Sequence, residues 1–237
     1  MNTLLEIKGL RGGYELGVNI LQGIDLTVTQ GEAVGIIGLN GSGKSTLGKA
    51  VMNLIPYREG SIVFNGQHIE DKSTHELAQM GIALMHQGGV VFPNLSVWQN
   101  LQMALGSSQR STFDTLLREI IPLLQKPKKE LMRTMADKLS GGQRHELALA
   151  MTLARQPKLV ILDEPSAGLS PKAVEEMYGM LGRIRGNFGI TILLIEQNVT
   201  RAVGFCERCV MLEQGRIMDE FDENRLKMFE IESIMFK

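Results

Sequence analysis

The stretch Ala33-Val34-Gly35-Ile36-Ile37-Gly38-Leu39-Asn40-Gly41-Ser42-Gly43-Lys44-Ser45-Thr46 decides the fold class. Its first five residues show no polar alternation, as expected of a strand buried on both faces of a parallel sheet. From Gly38 onward it fits the pattern Gly-x4-Gly-Lys-[Ser/Thr], and the spacing predicts a helix from Lys44 to about Asn53, ended before Pro56. Between a buried strand and a helix, such a loop can curl so that successive N–H groups point at phosphate oxygens, while the helix directs its positive end at the same place. Gly38, Asn40, Gly41, Ser42, Gly43, Lys44, Ser45 and Thr46 are therefore candidate nucleotide-binding residues. Lys44 is expected to hold the β- and γ-phosphates, and the Ser45 hydroxyl to ligate Mg²⁺. Alone, the loop says only nucleoside triphosphate.

A second stretch, Leu159-Val160-Ile161-Leu162-Asp163-Glu164-Pro165, delivers two carboxylates to the C-terminal end of an apolar strand, where open α/β sheets bind ligands. Asp163 has the position to hold Mg²⁺, directly or through water. Glu164 has the position of a general base that polarises the attacking water. Without the phosphate loop, the same acids would read as solvated turn residues.

Around these stretches the pattern alternates strand and helix. Strands are predicted over Leu4–Gly9, Ile24–Thr29, Gly60–Phe64, Gly81–Met85 and Ile190–Ile195, and helices over Gly141–Ala154 and Pro171 to about Arg185. From about Trp98 to Asp137 the pattern turns helical, with Phe113, Leu116, Leu117, Ile120 and Ile121 at three-to-four spacing and breaks at Gly106-Ser107-Ser108 and Pro127. This reads as a helical insertion in an α/β fold with a largely parallel core. At 237 residues and 43% hydrophobic, the chain can bury one substantial core, so one globular unit is expected.

Composition excludes several function classes. The formal net charge of -1, with both signs mixed along the chain, leaves no basic stripe for nucleic acid. The N-terminus lacks the features of a signal peptide, which predicts a cytosolic protein. No apolar run approaches the roughly 20 residues of a membrane-spanning helix, so membrane association is expected only through a partner. Cys206 and Cys209 form a Cys-x-x-Cys pair with no second ligand cluster, and read as reduced cysteines at a helix-to-strand junction. His68, His75, His86 and His145 are scattered without metal spacing, and the 14 methionines suit core and interface packing. The Lys126-Pro127-Lys128-Lys129 run reads as a solvated helix end, and the apolar tail Met228 to Phe236 needs a surface, its own core or a neighbouring subunit.

Leu139-Ser140-Gly141-Gly142-Gln143 lies between the phosphate loop and the acidic strand, and in that order the motifs resemble the ABC ATPases. Physically, the pentapeptide is a Ser-capped helix start with bare glycines, a second anion-binding end. The resemblance implies a P-loop NTPase with a RecA-like parallel-sheet core (about 1–86 and 157–237), an N-terminal antiparallel β-subdomain and an inserted helical subdomain (about 87–156), all in one domain. It further implies ATP and Mg²⁺ as cofactors and a head-to-tail dimer in which Ser140, Gly141, Gly142 and Gln143 close on the γ-phosphate held by the other chain. The second ABC ATPase subunit could be identical or paralogous. Transmembrane permease subunits, and indirectly a solute-binding protein, are the further partners implied, which places the chain on the inner face of the cell membrane.

Other positions acquire roles from the same resemblance. Tyr14 sits where the family carries an aromatic that stacks on adenine. Gln87 matches the glutamine that senses Mg²⁺ and the attacking water. Two positions depart from the family pattern. Gln197 replaces the usual His after the last core strand, and can donate a hydrogen bond but not take up a proton. Ser170 replaces the usual Asp after the acidic strand. Glu196-Gln197-Asn198, the Ser166 to Pro171 loop and Val91 to Val97 together resemble the ATPases of branched-chain amino-acid and urea importers, and Gln87-Gly88-Gly89 is nearer the urea type. The Phe92-Pro93 loop is a candidate dock for a permease helix. An ABC exporter subunit and a non-transport ATPase gating a protein assembly, as in iron–sulfur biogenesis, remain alternatives.

Overall fold

The computed structural model describes residues 2–105, 128–222 and 225. The chain opens with β1 (Thr3–Gly13) and β2 (Leu21–Thr29), then β3 (Ala33–Ile37), α1 (Lys44–Val51), β4 (Tyr57–Phe64), β5 (Gln67–His68), α2 (Thr74–Met80) and β6 (Ile82–Met85). After α3 (Val97–Leu105) come α4 (Lys128–Arg133), α5 (Gly141–Leu153), β7 (Leu159–Asp163), α6 (Pro171–Phe188), β8 (Thr191–Glu196), α7 (Val199–Phe205), β9 (Arg208–Glu213) and β10 (Arg216–Asp222). Among the described residues these strands form two sheets: an antiparallel one in the order β2-β1-β4-β5, and a six-stranded one in the order β10-β9-β3-β8-β7-β6.

The central strands explain their own sequence pattern. β3, β7 and β8 are buried along their whole length, and successive residues point to opposite faces of the sheet. Val160, Leu162, Ile192 and Leu194 join one apolar cluster, with α5, α6 and α7. Leu159, Ile161, Leu193 and Ile195 join the other, with α1 and the antiparallel sheet. With both faces covered, alternation has no polar side to show. On the second face Gly48 lets α1 approach: a Cβ there would meet Ile195 Cδ1 at 3.0 Å and Ile161 Cγ2 at 3.1 Å.

β3, β6, β7 and β8 run parallel, pairing Ile37 with Glu196, Asp163 with Ile195 and Met85 with Leu162. Their C-terminal ends therefore share one edge of the sheet. Whatever follows each strand, Gly38 onward, Gln87, Glu164 and Gln197, is delivered to the same rim.

The helical run expected over Trp98 to Asp137 is corrected in part. Its described portions are α3, α4 and a short 3₁₀ turn over Ala136–Lys138, with Ser96 bridging to Met135. The amides of Ala136 and Asp137 bond the carbonyls of Leu95 and Pro93 rather than the preceding helical turn, which breaks the helix there. Phe113, Leu116, Leu117, Ile120, Ile121, the breaks at Gly106-Ser107-Ser108 and at Pro127, and the tail from Met228 to Phe236 lie outside the described residues. The strand expected from Gly60 begins at Tyr57. Two helices escape the periodicity because they are short. α2 is announced only by its capping box, Ser73 with Glu76, and α7 by its cap Asn198. No described helix is long and apolar enough to cross a membrane.

Candidate functional site

The loop between β3 and α1 is built by contacts that only its own residues allow. Gly38 has φ 153, and a Cβ there would meet the Leu212 carbonyl oxygen at 2.2 Å and Ser42 Oγ at 2.9 Å. Gly43 caps α1 in the left-handed region, with no side chain accepting from the first turn. The helix therefore presents a positive end that its own cap does not neutralise. Lys44 Nζ, buried, donates to the carbonyls of Gly38 at 2.7 Å and Leu39 at 2.8 Å. Burial lowers its pKa, opposed by the charges of Glu164, Asp163 and Glu196.

Across the rim, Ser45 Oγ donates to Asp163 Oδ1 at 2.8 Å. Burial raises the Asp163 pKa, partly offset by that hydrogen bond. Glu164 sits at φ 48, strained for a residue with a Cβ, with its amide tied to the Ile195 carbonyl at 2.9 Å. Its two carboxylate oxygens are claimed from opposite sides. Gln87 Nε2 donates to Oε2 at 2.7 Å, and Gln197 Nε2 donates to Oε1. A cavity of about 430 Å³ is lined by Asn40, Gly41, Gly43, Lys44, Ser45 and Thr46 of the loop and α1 and by Gln87, Glu164 and Gln197 of the rim, together with Ile20. Periodicity gave no reason to notice Ile20.

Ser140, Gly142 and Gln143 lie elsewhere, lining a second cavity of about 440 Å³ with Gly168, Leu169 and Ser170. Ser140 caps α5 and forms a capping box with Gln143: its Oγ accepts from the Gln143 amide at 3.2 Å, and its own amide donates to Gln143 Oε1 at 3.1 Å. Ser170 caps α6, accepting from the Ala173 amide at 3.4 Å. Tyr14 is 45% exposed and does not line the first cavity, with Lys49 Nζ 5.6 Å from its ring centroid and 3.3 Å from its hydroxyl. Cys206 and Cys209 are buried free thiols at the α7–β9 junction. The hydrogen bond that Cys206 donates to Cys209, together with burial, pushes the Cys206 thiol up.

The residues present fit a nucleoside triphosphate and a hard divalent cation: an uncapped helix start and a lysine for phosphate, and a hydroxyl and a carboxylate 2.8 Å apart as oxygen donors. Together the fold and this rim define a phosphate-loop ATPase whose sheet carries a second, antiparallel sheet on one face. Residues 21–167 match the family model described as "ABC transporter", and the chain belongs to that family as an ATP-binding, ATP-hydrolysing subunit. It is 33% identical over 94% of its length, and 94% of the other's, to the probable branched-chain amino acid transport ATP-binding protein LivF of Archaeoglobus fulgidus. It is 31% identical, covering 90% of this chain and 88% of the other, to the lipopolysaccharide export system ATP-binding protein LptB of Escherichia coli strain K12. Among solved structures, cbiO1 of Clostridium perfringens, part of the ABC transporter complex cbiONQ, superposes with a TM-score of 0.83 at 25% identity, over 99% of this chain and 93% of that one.

Proposed function

We propose that this chain is the motor of an importer for branched-chain amino acids, urea or a related small polar solute, and that it hydrolyses ATP at the rim formed by β3, β6, β7 and β8. The observation that carries the site reading is the double clamp on Glu164. Two neutral amides, Gln87 and Gln197, hold its carboxylate at the wall of the cavity that the phosphate loop lines. A carboxylate so held can take a proton from water in the cavity, as a general base.

The remaining roles follow from chemistry. Lys44 and the α1 amides hold the β- and γ-phosphates. Ser45 and Asp163 would hold Mg²⁺, which when bound would supply positive charge beside the phosphates. Gln197 orients Glu164 and donates towards the γ-phosphate, with no part in proton transfer. Tyr14 offers a face for the adenine ring. Ser140, Gly141, Gly142 and Gln143 serve the nucleotide of a second ATPase subunit, because the cavity that Ser140, Gly142 and Gln143 line is separate from the phosphate-loop cavity in one chain. In this reading the parallel core and its helical insertion work as one domain, at the cytoplasmic face of the membrane, held there by permease subunits.

The importer reading draws on the likeness to LivF. The comparable likeness to LptB favours a second reading, an export motor. Purification of the chain with its native membrane partners, followed by solute uptake in proteoliposomes, separates the two. ATP-driven accumulation of a branched-chain amino acid supports import, and association with a lipopolysaccharide export permease overturns it. Lys44→Ala is expected to weaken ATP binding by at least about tenfold, the scale of a lost charge-assisted contact. Unchanged affinity would remove the phosphate loop from the account.

A further inference from the structure

β8 ends in a charge that its apolar sequence does not prepare for. Glu196 is 2% exposed, follows the wholly buried run Thr191 to Ile195, and directly precedes Gln197. Its Oε1 accepts from Ser166 Oγ at 2.6 Å and from Tyr178 OH at 2.8 Å. Ser166 Oγ in turn accepts from Arg201 Nη1 at 2.8 Å. A buried carboxylate is costly unless hydrogen-bonded and charge-compensated, and here two hydroxyls and a guanidinium one hydroxyl away meet both conditions.

The donors come from three different elements. Ser166 lies on the loop after β7, two residues beyond Glu164; Tyr178 is on α6; Arg201 is on α7. We propose that Glu196 is a positioning residue for ATP hydrolysis: it ties the loop after β7 to the end of β8 and so sets Gln197 against Glu164. The backbone supports the same geometry, since the Glu164 amide already bonds the Ile195 carbonyl. That bond fixes the main chain of Glu164 to β8. The Ser166–Glu196 bond fixes the loop that follows it. Those two ties hold the backbone at and just after Glu164, from which its carboxylate meets Gln197. The proposal rests on the reading of Glu164 as the base.

Steady-state phosphate release by the full-length chain tests it. Glu196→Ala is expected to lower kcat about tenfold, within the range set by small misplacements of catalytic groups, while KM for ATP stays within about twofold. Glu196→Gln keeps an oxygen that can accept from the same two hydroxyls and is expected to recover most of the rate. In a Gln197→Ala background, Glu196→Ala should cost almost nothing more, because both changes release the same contact. Multiplying losses, a KM that rises as kcat falls, or no recovery in Glu196→Gln would overturn the proposal. If Glu196→Ala does not fold, Tyr178→Phe and Ser166→Ala each remove one donor. Lower kcat at unchanged KM supports the proposal, and unchanged kcat in both overturns it. Glu164→Gln, run alongside, separates the two readings. If it hydrolyses ATP normally, the base assignment fails and takes the proposal with it. If it is inactive while Glu196→Ala is fully active, only the proposal fails.

Discussion

Replacing Glu164 by Gln exchanges one oxygen for an NH₂ and leaves the side chain's size unchanged. In the native arrangement both oxygens of Glu164 accept, from Gln87 at 2.7 Å and from Gln197. In the variant, one of those partners faces a donor and must turn its own amide over to present oxygen. Gln87 and Gln197 are both able to do so, because each carries a donor and an acceptor on one rotatable group. The clamp therefore survives the substitution, and so do the Lys44 contacts with Gly38 and Leu39 that shape the phosphate loop. What disappears is the only carboxylate of the three, and with it the one group of the clamp able to act as a base. Loss of a general base costs about 10²–10⁴-fold in rate, equivalent to about 3–5 kcal/mol in the barrier. Phosphate release under saturating ATP should fall by that factor, while equilibrium binding of a fluorescent ATP analogue stays essentially unchanged. Size-exclusion chromatography with ATP should show more dimer, because nucleotide bound but not consumed holds the associated state. Turnover near that of the unsubstituted chain would refute the assignment of Glu164 as base, and a large loss of ATP affinity would refute the claim that the clamp persists.

Two further predictions concern stability. Burial, with Glu176 adding to it, pushes Glu146 up to about 7, so the folded chain holds a proton there that the unfolded chain has already released. That group therefore favours the folded state less as pH rises from about 4.5 to about 7, and Glu146→Gln should be more stable by about 1–3 kcal/mol at about pH 8 and equal at about pH 4. Urea titrations at the two pH values check this, and a gain of equal size at both would argue against it. Leu194 is wholly buried on the α5–α7 face of the sheet, so Leu194→Ala should cost about 2–5 kcal/mol in the same assay.

Much of the fold is legible in the sequence where a physical constraint acts over neighbouring residues. Ala33 to Ile37 and Leu159 to Leu162 lack polar alternation because both sheet faces are covered, and that constraint reads directly as an apolar run. The phosphate loop is legible for the same reason: its glycines, lysine and hydroxyl are contiguous, and the backbone geometry they allow is local. The segment from Thr134 to Leu139 is not, since the amides of Ala136 and Asp137 bond Leu95 and Pro93 across the chain, a competition that no helical period records.

The functional rim divides along the same line. The residue types at Lys44, Asp163 and Glu164 announce phosphate and acid chemistry by themselves, and the motif order places the chain in its family. Tertiary structure alone decides that Gln87, 77 residues from Glu164 in sequence, and Gln197, 33 residues from it, grip one carboxylate from two sides. It also separates Ser140 and Gln143 from the phosphate loop, and joins Ser166, Tyr178 and Arg201 around Glu196. The reason is parallel pairing: register between β3, β6, β7 and β8 brings strand ends together that the chain itself keeps far apart, and hydrogen-bond register is a relation between strands, not a property of any one of them.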